Sequence, residues 1–238
     1  MKKLIGLVLL GVIAATAQTH RFGNSTAFLA EVNQPTNGGG GGQTASDDFD
    51  TYTHNAALDA QGSWAVVSGA SGDQMWVEKP ASDGEIWSNN SGVEESCNRW
   101  TAGTWSANQY SVGVLSAKIS GIADMGVSVR CQSGSATYYA WYMDPNDNWY
   151  LIRMNSGSGA TVSSGTCVWI VGSTIRLEVT GTGSGTRLTG KHDVGGGYTN
   201  VFTSVDPGGT YIDGGNPGVA GWGDDVGTRL DDWSAGDL

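Results

Sequence analysis

The segment STIRLEVTG, residues 173–181, alternates apolar and polar side chains without a break. Ile175, Leu177 and Val179 fall on one side, which is the period of two expected for a β-strand with one buried face. Short segments of this kind, bounded by turn residues, recur along the chain and predict further strands. They lie at 63–69, 74–78, 85–88, 109–119, 125–131, 136–143, 148–154, 186–192, 197–205, 218–223 and 228–236.

Helices are not expected in this chain. No stretch after residue 30 shows the apolar period of 3.6 that marks an amphipathic helix. The 38 glycines and the low share of charged residues, 15%, suit tight turns between short strands. Because each strand has one face to bury, we predict an all-β fold, a two-sheet antiparallel β-sandwich of the jelly-roll type.

The N-terminal residues have the pattern of a secretory signal peptide. Two lysines precede an apolar run from Leu4 to Ala15, and small residues precede a cleavage position after Ala17. The alternative is a helix that stays on the protein and packs against a partner. We predict a signal peptide at 1–17, a flexible glycine-rich segment at 18–46, a folded domain at 47–238, and no membrane span in the mature chain. The protein is then secreted, to the extracellular space or to a cell or virion surface.

The net charge of −11 narrows the range of partners. Nucleic acids and anionic membranes are bound by basic surfaces, so the sequence predicts neither as a partner. Solubility outside the cell accounts for an acidic surface, and calcium binding by some of the carboxylates is the alternative.

Several segments occur in an order that is informative about the family. They are DDFD with GSWAVVSG, WSANQYSVGV, GVSVRC with TYYAWYM and NWYLIRM, GSTIRLEVTG, GGNPGVAGWG and LDDWSAGDL. Over residues 47–238 this pattern resembles the concanavalin A-like lectin/glucanase superfamily, and more closely the laminin G-like jelly-roll domains of secreted bacterial and phage-associated proteins. The resemblance implies that the first and last strands lie side by side, so that DDFD meets LDDW.

That pairing would gather carboxylates from both ends of the domain. Asp48, Asp50, Asp231 and Asp232 would repel one another, and a hard cation would relieve the repulsion. Many relatives bind calcium near the termini, so these four residues are the candidate calcium ligands. A solvated acidic edge that discourages edge-to-edge pairing is the alternative.

Glycan hydrolysis has a recognisable signature in this superfamily, Glu-x-Asp-x-x-Glu on one strand. No glutamate of the sequence has carboxylates at that spacing, and no G-x-S-x-G nucleophile motif occurs. The sequence therefore favours a non-catalytic protein, while carboxyl groups brought together only by the fold stay an open alternative.

Aromatic residues next to polar ones suggest a carbohydrate surface, because sugar rings stack on aromatic faces. The period of two places Tyr139 and Trp141 on one face of a strand and Tyr138 and Tyr142 on the other, so that one aromatic row need not be core. The candidate glycan-binding residues are Trp100, Arg130, Tyr139, Trp141, Trp149 and Arg153. The expected core tryptophans are Trp64, Trp222 and Trp233.

Three cysteines, Cys97, Cys131 and Cys167, leave at least one thiol unpaired. In a meander the end of the strand at 125–131 lies beside the start of the strand at 109–119, and Cys97 precedes that start by a short loop. We therefore predict a Cys97–Cys131 disulfide and a free Cys167.

Three functional classes fit these observations. The first is a secreted, non-catalytic glycan-binding or adhesion module with a polysaccharide as partner. The second is a structural protein of a virion or surface filament that uses the fold for assembly, as a homo-oligomer. The third is a glycoside hydrolase or lyase with a site that no motif reveals. The glycan-binding interpretation is preferred because of the aromatic residues.

Overall fold

The computed structural model describes residues 42–68, 74–79, 83–89, 95–119, 123–223 and 228–238. These residues form β-strands and two short 3-10 helices, Leu58–Ala60 and Gly183–Gly185. The strands are β1 (Thr44–Asp47), β2 (Ala56–Ala57), β3 (Trp64–Ser68), β4 (Gln74–Glu78), β5 (Glu85–Asn89), β6 (Glu95–Trp100), β7 (Gln109–Lys118), β8 (Asp124–Cys131), β9 (Tyr138–Met143), β10 (Asn148–Asn155), β11 (Ser158–Thr166), β12 (Ser173–Thr180), β13 (Arg187–Asp193), β14 (Thr199–Val205), β15 (Asn216–Trp222) and β16 (Thr228–Asp237).

The strands form two antiparallel sheets, which confirms the predicted fold class. The nine-stranded sheet has the order β14-β13-β12-β7-β16-β5-β4-β2, with β1 paired to β16. The seven-stranded sheet has the order β11-β10-β9-β8-β15-β6-β3. Among the described residues no helix has the length and apolar character needed to cross a membrane.

Alternating strands supply the core between the two sheets. Ile175, Leu177 and Val179 of β12 are fully buried there, as their spacing predicts. On the opposite face of β12, Arg176 and Glu178 form an ion pair with 2.7 Å between Nε and Oε1. From the seven-stranded sheet the core receives Met125, Val127, Val129, Tyr139, Trp141, Met143, Leu151 and Val219.

The two ends of the domain meet as the family resemblance implies. Strand β1 pairs with β16, and Asp47 lies opposite Trp233. The Asp47 carboxylate accepts hydrogen bonds from the Trp64 indole Nε1, at 2.8 Å, and from the Tyr52 hydroxyl. Trp64 and Trp233 pack edge to face with 4.8 Å between ring centroids, so this junction is part of the core.

Two long strands lie where no strand is predicted, β6 and β11. Strand β11 is rich in Ser and Gly and is mostly exposed, so its sequence has no apolar alternation. It is a strand because its backbone pairs with β10 along its length, from Ser158 opposite Asn155 to Thr166 opposite Asn148. Edge strands of this kind are specified by hydrogen bonding to a neighbour more than by their own side chains.

Most of what the sequence predicts for the N-terminal region concerns residues that the structure does not describe. The predicted signal peptide at 1–17 and most of the predicted flexible segment at 18–46 lie outside the described residues. Strand β1 begins at Thr44, within the range predicted for the flexible segment.

Candidate functional site

The seven-stranded sheet has a second face, which points away from the core between the sheets. We call it the outer face. Its buried apolar side chains form a separate cluster centred on Tyr138, Ala140 and Tyr142 of β9 and on Ile152 and Met154 of β10. Tyr150 and Trp222 pack against this cluster and are only partly buried. The outer face therefore keeps aromatic rings accessible beside an apolar floor.

A pocket of about 540 Å³ opens on the outer face. Its volume lies within the range of small-ligand sites. Strands β6, β8, β9, β10, β11 and β15 and the turn after β9 contribute to it. The lining residues are Glu95, Asp124, Tyr142, Asp144, Asn146, Tyr150, Ile152, Gly159, Ala160, Thr161 and Trp222. We call this the outer-face pocket.

The strand register explains why residues distant in sequence meet here. Trp222 of β15 lies opposite Asp124 of β8 on one side and opposite Glu95 of β6 on the other. Tyr142 of β9 lies opposite Tyr150 of β10. Residues opposite each other in antiparallel strands project from the same face, so the register brings acidic and aromatic side chains into one pocket.

Asp124 is the most unusual group in the pocket. The residue is 7% exposed, and no hydrogen bond to its carboxyl group is found within the described part of the chain. Burial raises the pKa of Asp124 to about 7, and the negative charge of Asp144 raises it further in the same direction. A buried carboxyl group without a donor favours a ligand that brings one.

The other two carboxylates have partners in the protein. The Asp144 carboxylate accepts hydrogen bonds from the backbone N–H groups of Asn146 and Asn148, at 2.8 and 2.7 Å, and from the Asn148 side chain. These bonds fix the turn between β9 and β10. Glu95 accepts a hydrogen bond from the Tyr138 hydroxyl at 2.9 Å, and burial raises the pKa of Glu95. Asp144 and Glu95 are thus held in place at the walls.

The Tyr142 hydroxyl is a further polar group of the pocket. Tyr142 is 2% exposed, and its Oη has no hydrogen-bond partner among the residues that the structure describes. Burial, with the nearby charge of Glu95, raises the pKa of Tyr142 well above its ordinary value. The hydroxyl is therefore a neutral donor and acceptor at the pocket floor.

The predicted glycan-binding rings Tyr139, Trp141 and Trp149 lie on the inner face of the seven-stranded sheet, toward the core, and the structure contradicts their predicted role. Tyr139 and Trp141 are fully buried, and Trp149 is 6% exposed. The Trp141 ring packs edge to face on Phe202 at 5.3 Å, and the Trp149 ring stacks on Phe202 at 5.0 Å. These rings fill the space between the sheets, which leaves them no free face for a sugar.

The two predicted arginines are structural supports. Arg130 is fully buried, and its guanidinium donates hydrogen bonds to Ala107 O, Ile212 O and Gly181 O. It thereby ties three loops together at one end of the sandwich. Arg153 donates to the backbone oxygen of Pro207 at 2.8 Å and holds the loop after β14. Neither side chain lines the outer-face pocket.

The structure assigns the tryptophans to the core and to the surface partly as predicted and partly not. Trp64 and Trp233 are core, at 4% and 0% exposure, as predicted. Trp222, which is also predicted to be core, instead lies partly exposed at the outer-face pocket. Trp100, predicted as an exposed ring at the rim, packs between Trp64 at 5.3 Å and Trp233 at 5.4 Å. It therefore belongs to the junction of the chain ends.

The predicted calcium ligands lie near one another. Burial raises the pKa of Asp231 to about 8, with the charge of Asp232 the next cause. The pKa of Asp232 is raised to about 6 by burial and by Asp48, Asp83 and Asp50. Within the described ranges, however, no three His, Cys, Asp or Glu side chains have an arrangement that would hold a metal ion. The four predicted residues are an acidic cluster in this structure.

The cysteines predicted to pair are neighbours. Cys97 of β6 and Cys131 of β8 are buried with their Sγ atoms 3.7 Å apart, and both are thiols in this structure. Cys167 lies elsewhere, with its Sγ 3.4 Å from Nδ1 of His192. The disulfide itself stays a prediction.

One signal in the sequence points to the outer-face pocket. Tyr138 and Tyr142 form the second aromatic row of β9, and Tyr150 and Ile152 continue it on β10. The acidic residues of the pocket give no such signal, because Glu95, Asp124 and Asp144 lie in three separate segments.

Comparison with known proteins shows similarity of structure but not of sequence. No family model matches the sequence, and the search of curated proteins finds no match. Similar solved structures include carbohydrate-binding modules, the exoplasmic domain of VIP36 and glycoside hydrolases, each under 25% identical to this chain.

Three of these structures illustrate the similarity. An engineered GH43 glycoside hydrolase with endo-xylanase and exo-arabinofuranosidase activity matches with a TM-score of 0.54 and 12% identity, over 86% of this chain but 42% of its own. A protein of unknown function from Shewanella oneidensis MR-1 matches with a TM-score of 0.51 and 11% identity, over 90% and 94% of the two chains. Carbohydrate-binding module CBM66 from Bacillus subtilis has a TM-score of 0.49 and 13% identity, over 71% and 91%. At these identities the first two matches show a similar fold and nothing more.

Proposed function

We propose that this chain is a secreted, non-catalytic glycan-binding or adhesion module, and that the outer-face pocket holds the sugar. The observation that carries the proposal is the buried Asp124 carboxyl, to which no described residue donates a hydrogen bond, beside the partly exposed Trp222 and Tyr150 rings. Secretion is supported by the signal-peptide pattern of residues 1–17.

Two kinds of contact would hold a sugar in this pocket. A pyranose ring stacks on Trp222 or Tyr150, each ring contributing about 1 kcal/mol. Hydroxyl groups of the sugar donate to Asp124 and accept from the Tyr142 hydroxyl, and a hydrogen bond to a charged group contributes about 1.5–3 kcal/mol. After the cost of association, one site of this size binds at roughly micromolar to millimolar strength. Several copies, in a homo-oligomer or on a surface, would then raise avidity.

A glycan array with the full chain tests the proposal, followed by titration calorimetry on Trp222→Ala. We expect binding to fall by roughly fivefold because a stacking face is lost. Trp105→Ala is the matched control, since Trp105 is also partly buried but lies outside the pocket lining. Equal affinity of both variants would contradict the site, and an array without any bound glycan would favour the structural alternative of a virion or filament subunit.

A second function has one specific observation in its favour. Glycosidases use two carboxyl groups with separate pKa values, one protonated as acid and one ionised. Asp124, with a pKa raised to about 7, lies next to Asp144 in the outer-face pocket. Release of reducing sugar from a bound glycan, abolished in Asp124→Asn, would support a hydrolase. Binding without release supports the non-catalytic module.

Calcium dependence is tested in the same titrations. Repeating them with excess calcium and with a chelator measures whether the acidic cluster at Asp48, Asp50, Asp231 and Asp232 affects the outer-face pocket. Thermal unfolding under both conditions measures calcium binding directly, because an ion that binds only the folded chain raises the midpoint. Unchanged midpoints would contradict the calcium prediction.

A further inference from the structure

The charge of the outer-face pocket is one-sided. Glu95, Asp124 and Asp144 line it, and none of the described residues that line it is Lys or Arg. No ion pair of Asp124 or Asp144 with a basic side chain is found in the described part of the chain. Among the described residues, therefore, no basic side chain neutralises Asp124 or Asp144.

This charge discriminates between classes of glycan. A uronic acid or a sulfated sugar would bring a further negative charge next to Asp144, and next to Asp124 where that group is ionised, and like charges in a partly desolvated site repel. A neutral sugar supplies hydroxyl donors but leaves the charge in place. An ammonium group supplies both donors and the opposite charge, and its hydrogen bonds to carboxylates are shorter and stronger than neutral ones.

We infer that the outer-face pocket selects glycans that carry free, protonated amino sugars of the glucosamine type over neutral and acidic glycans. This inference rests on the proposed function. It has a structural basis beyond the number of acidic residues. Within the described part of the chain, no group donates a hydrogen bond to Asp124, which is 7% exposed, and the buried Tyr142 hydroxyl beside it has no partner.

The arrangement of the rings fits the same ligand. Trp222 lies between Asp124 and Glu95 in the strand register. A pyranose ring stacked on the indole directs its ring substituents outward, toward these two carboxyl groups. The aromatic faces of Trp222 and Tyr150 also attract a cation within about 6 Å of the ring centroid. One amino sugar would therefore stack on the Trp222 ring and contact the neighbouring carboxyl groups at the same time.

Binding of an ammonium group would also change the protonation of Asp124. Among the described residues, the titratable groups around Asp124 are Asp144 after β9, Glu95 on β6, Tyr142 on β9 and Tyr150 on β10. Burial and Asp144 raise the pKa of Asp124 to about 7, so much of this group is protonated at pH 6. A cation beside it lowers that pKa, and a proton is released on binding.

Titration calorimetry at pH 6 with the full chain tests the inference. The probes are the trimers of glucosamine, N-acetylglucosamine, glucose and galacturonic acid. We expect the glucosamine trimer to bind about tenfold more tightly than the neutral trimers because its contacts are charge-assisted. We expect the galacturonic acid trimer to bind most weakly. Repetition in buffers of different ionisation enthalpy should show proton release for the glucosamine trimer alone.

Two variants assign the selectivity to Asp124. Asp124→Asn keeps the shape of the side chain and should abolish both the preference and the proton release. Asp59→Asn removes the same charge at an exposed position outside the pocket lining and should change neither. The proton release of the wild-type chain needs no variant, so the test stands even if Asp124→Asn folds poorly.

The outcomes separate the two proposals. Equal affinity for neutral and amino trimers, a preference for the acidic trimer, or an unchanged preference in Asp124→Asn overturns the amino-sugar inference and leaves glycan binding in place. Binding of none of these trimers, together with an empty glycan array, overturns both.

Discussion

Strand β9 carries aromatic side chains on both faces, and the two rows have different surroundings. On the inner face, Tyr139 and Trp141 are covered by the nine-stranded sheet, and the Tyr139 hydroxyl accepts a hydrogen bond from Ile212 N at 2.9 Å. On the outer face, Tyr138 donates to Glu95, while the Tyr142 hydroxyl has no partner in the described part of the chain. Both rows are buried, and the outer one borders the outer-face pocket through Tyr142.

This comparison shows that ring burial and availability for binding are separate properties. The inner rings contact Phe202 and other core side chains, so their contribution is to the stability of the sandwich. Of the outer row, Tyr142 lies at the floor of the outer-face pocket, which is also lined by acidic side chains and by the partly exposed rings of Tyr150 and Trp222. We therefore expect inner-row variants to change the free energy of unfolding and pocket variants to change affinity.

The largest expected effect is that of Trp141→Ala. Removing a fully buried indole leaves a cavity between the sheets and should lower the free energy of unfolding by about 3–5 kcal/mol. Trp222→Ala, the same change at the outer-face pocket, should cost less than about 1 kcal/mol because that ring is partly exposed. Chemical denaturation of both variants measures the difference, and equal losses would refute the division into an inner and an outer face.

The thiol pair gives the second largest effect. Cys97 and Cys131 lie on the outer face with their Sγ atoms 3.7 Å apart. In a secreted chain we expect them to be oxidised to a disulfide, and its reduction should lower stability by about 2–4 kcal/mol. Mass spectrometry of the secreted protein with and without reductant measures the bond. Two free thiols at these positions would disprove the pairing, and Cys167→Ser, which should change nothing, is the control.

A smaller effect follows from the raised pKa of Asp124. Folding raises this pKa from 3.8 to about 7, so the stabilising contribution is complete below about pH 4 and is lost as the pH rises through about 7. Asp124→Asn should therefore be more stable than the wild type at pH 8, by about 2 kcal/mol or less, and equal to it at pH 4. Asp231 and Asp232 are present in both proteins, so the difference between the thermal unfolding curves of wild type and variant measures the contribution of Asp124. A variant less stable at pH 8 would contradict the assigned pKa.

The smallest effect compares two tyrosine hydroxyls on one strand. Tyr139→Phe removes the acceptor for Ile212 N and should cost about 1 kcal/mol. Tyr142→Phe removes a buried hydroxyl without a described partner and should be neutral or stabilising by up to about 1 kcal/mol. Tyr142→Phe should also weaken glycan binding a few-fold. Thermal unfolding checks the signs, and a loss of stability in both variants would remove the distinction between the two rows.

The sequence by itself determined the strands that alternate. In β12 the apolar residues at every second position identified both the strand and its buried face, because the other positions carry charged side chains. In β9 the same period of two separated Tyr139 and Trp141 from Tyr138 and Tyr142 but gave no way to choose the inner row. Both faces are apolar enough to be buried, so local hydrophobicity does not distinguish them.

Only the tertiary structure decided which row faces the other sheet. The packing of the nine-stranded sheet covers Trp141 with Phe202, and the register of β15 on β8 and β6 brings Trp222 next to Asp124 and Glu95. These contacts join segments far apart in the chain, and no local pattern encodes them. The charge of the outer-face pocket arises in the same way, since its three carboxylates belong to separate segments that meet only when the strands pair.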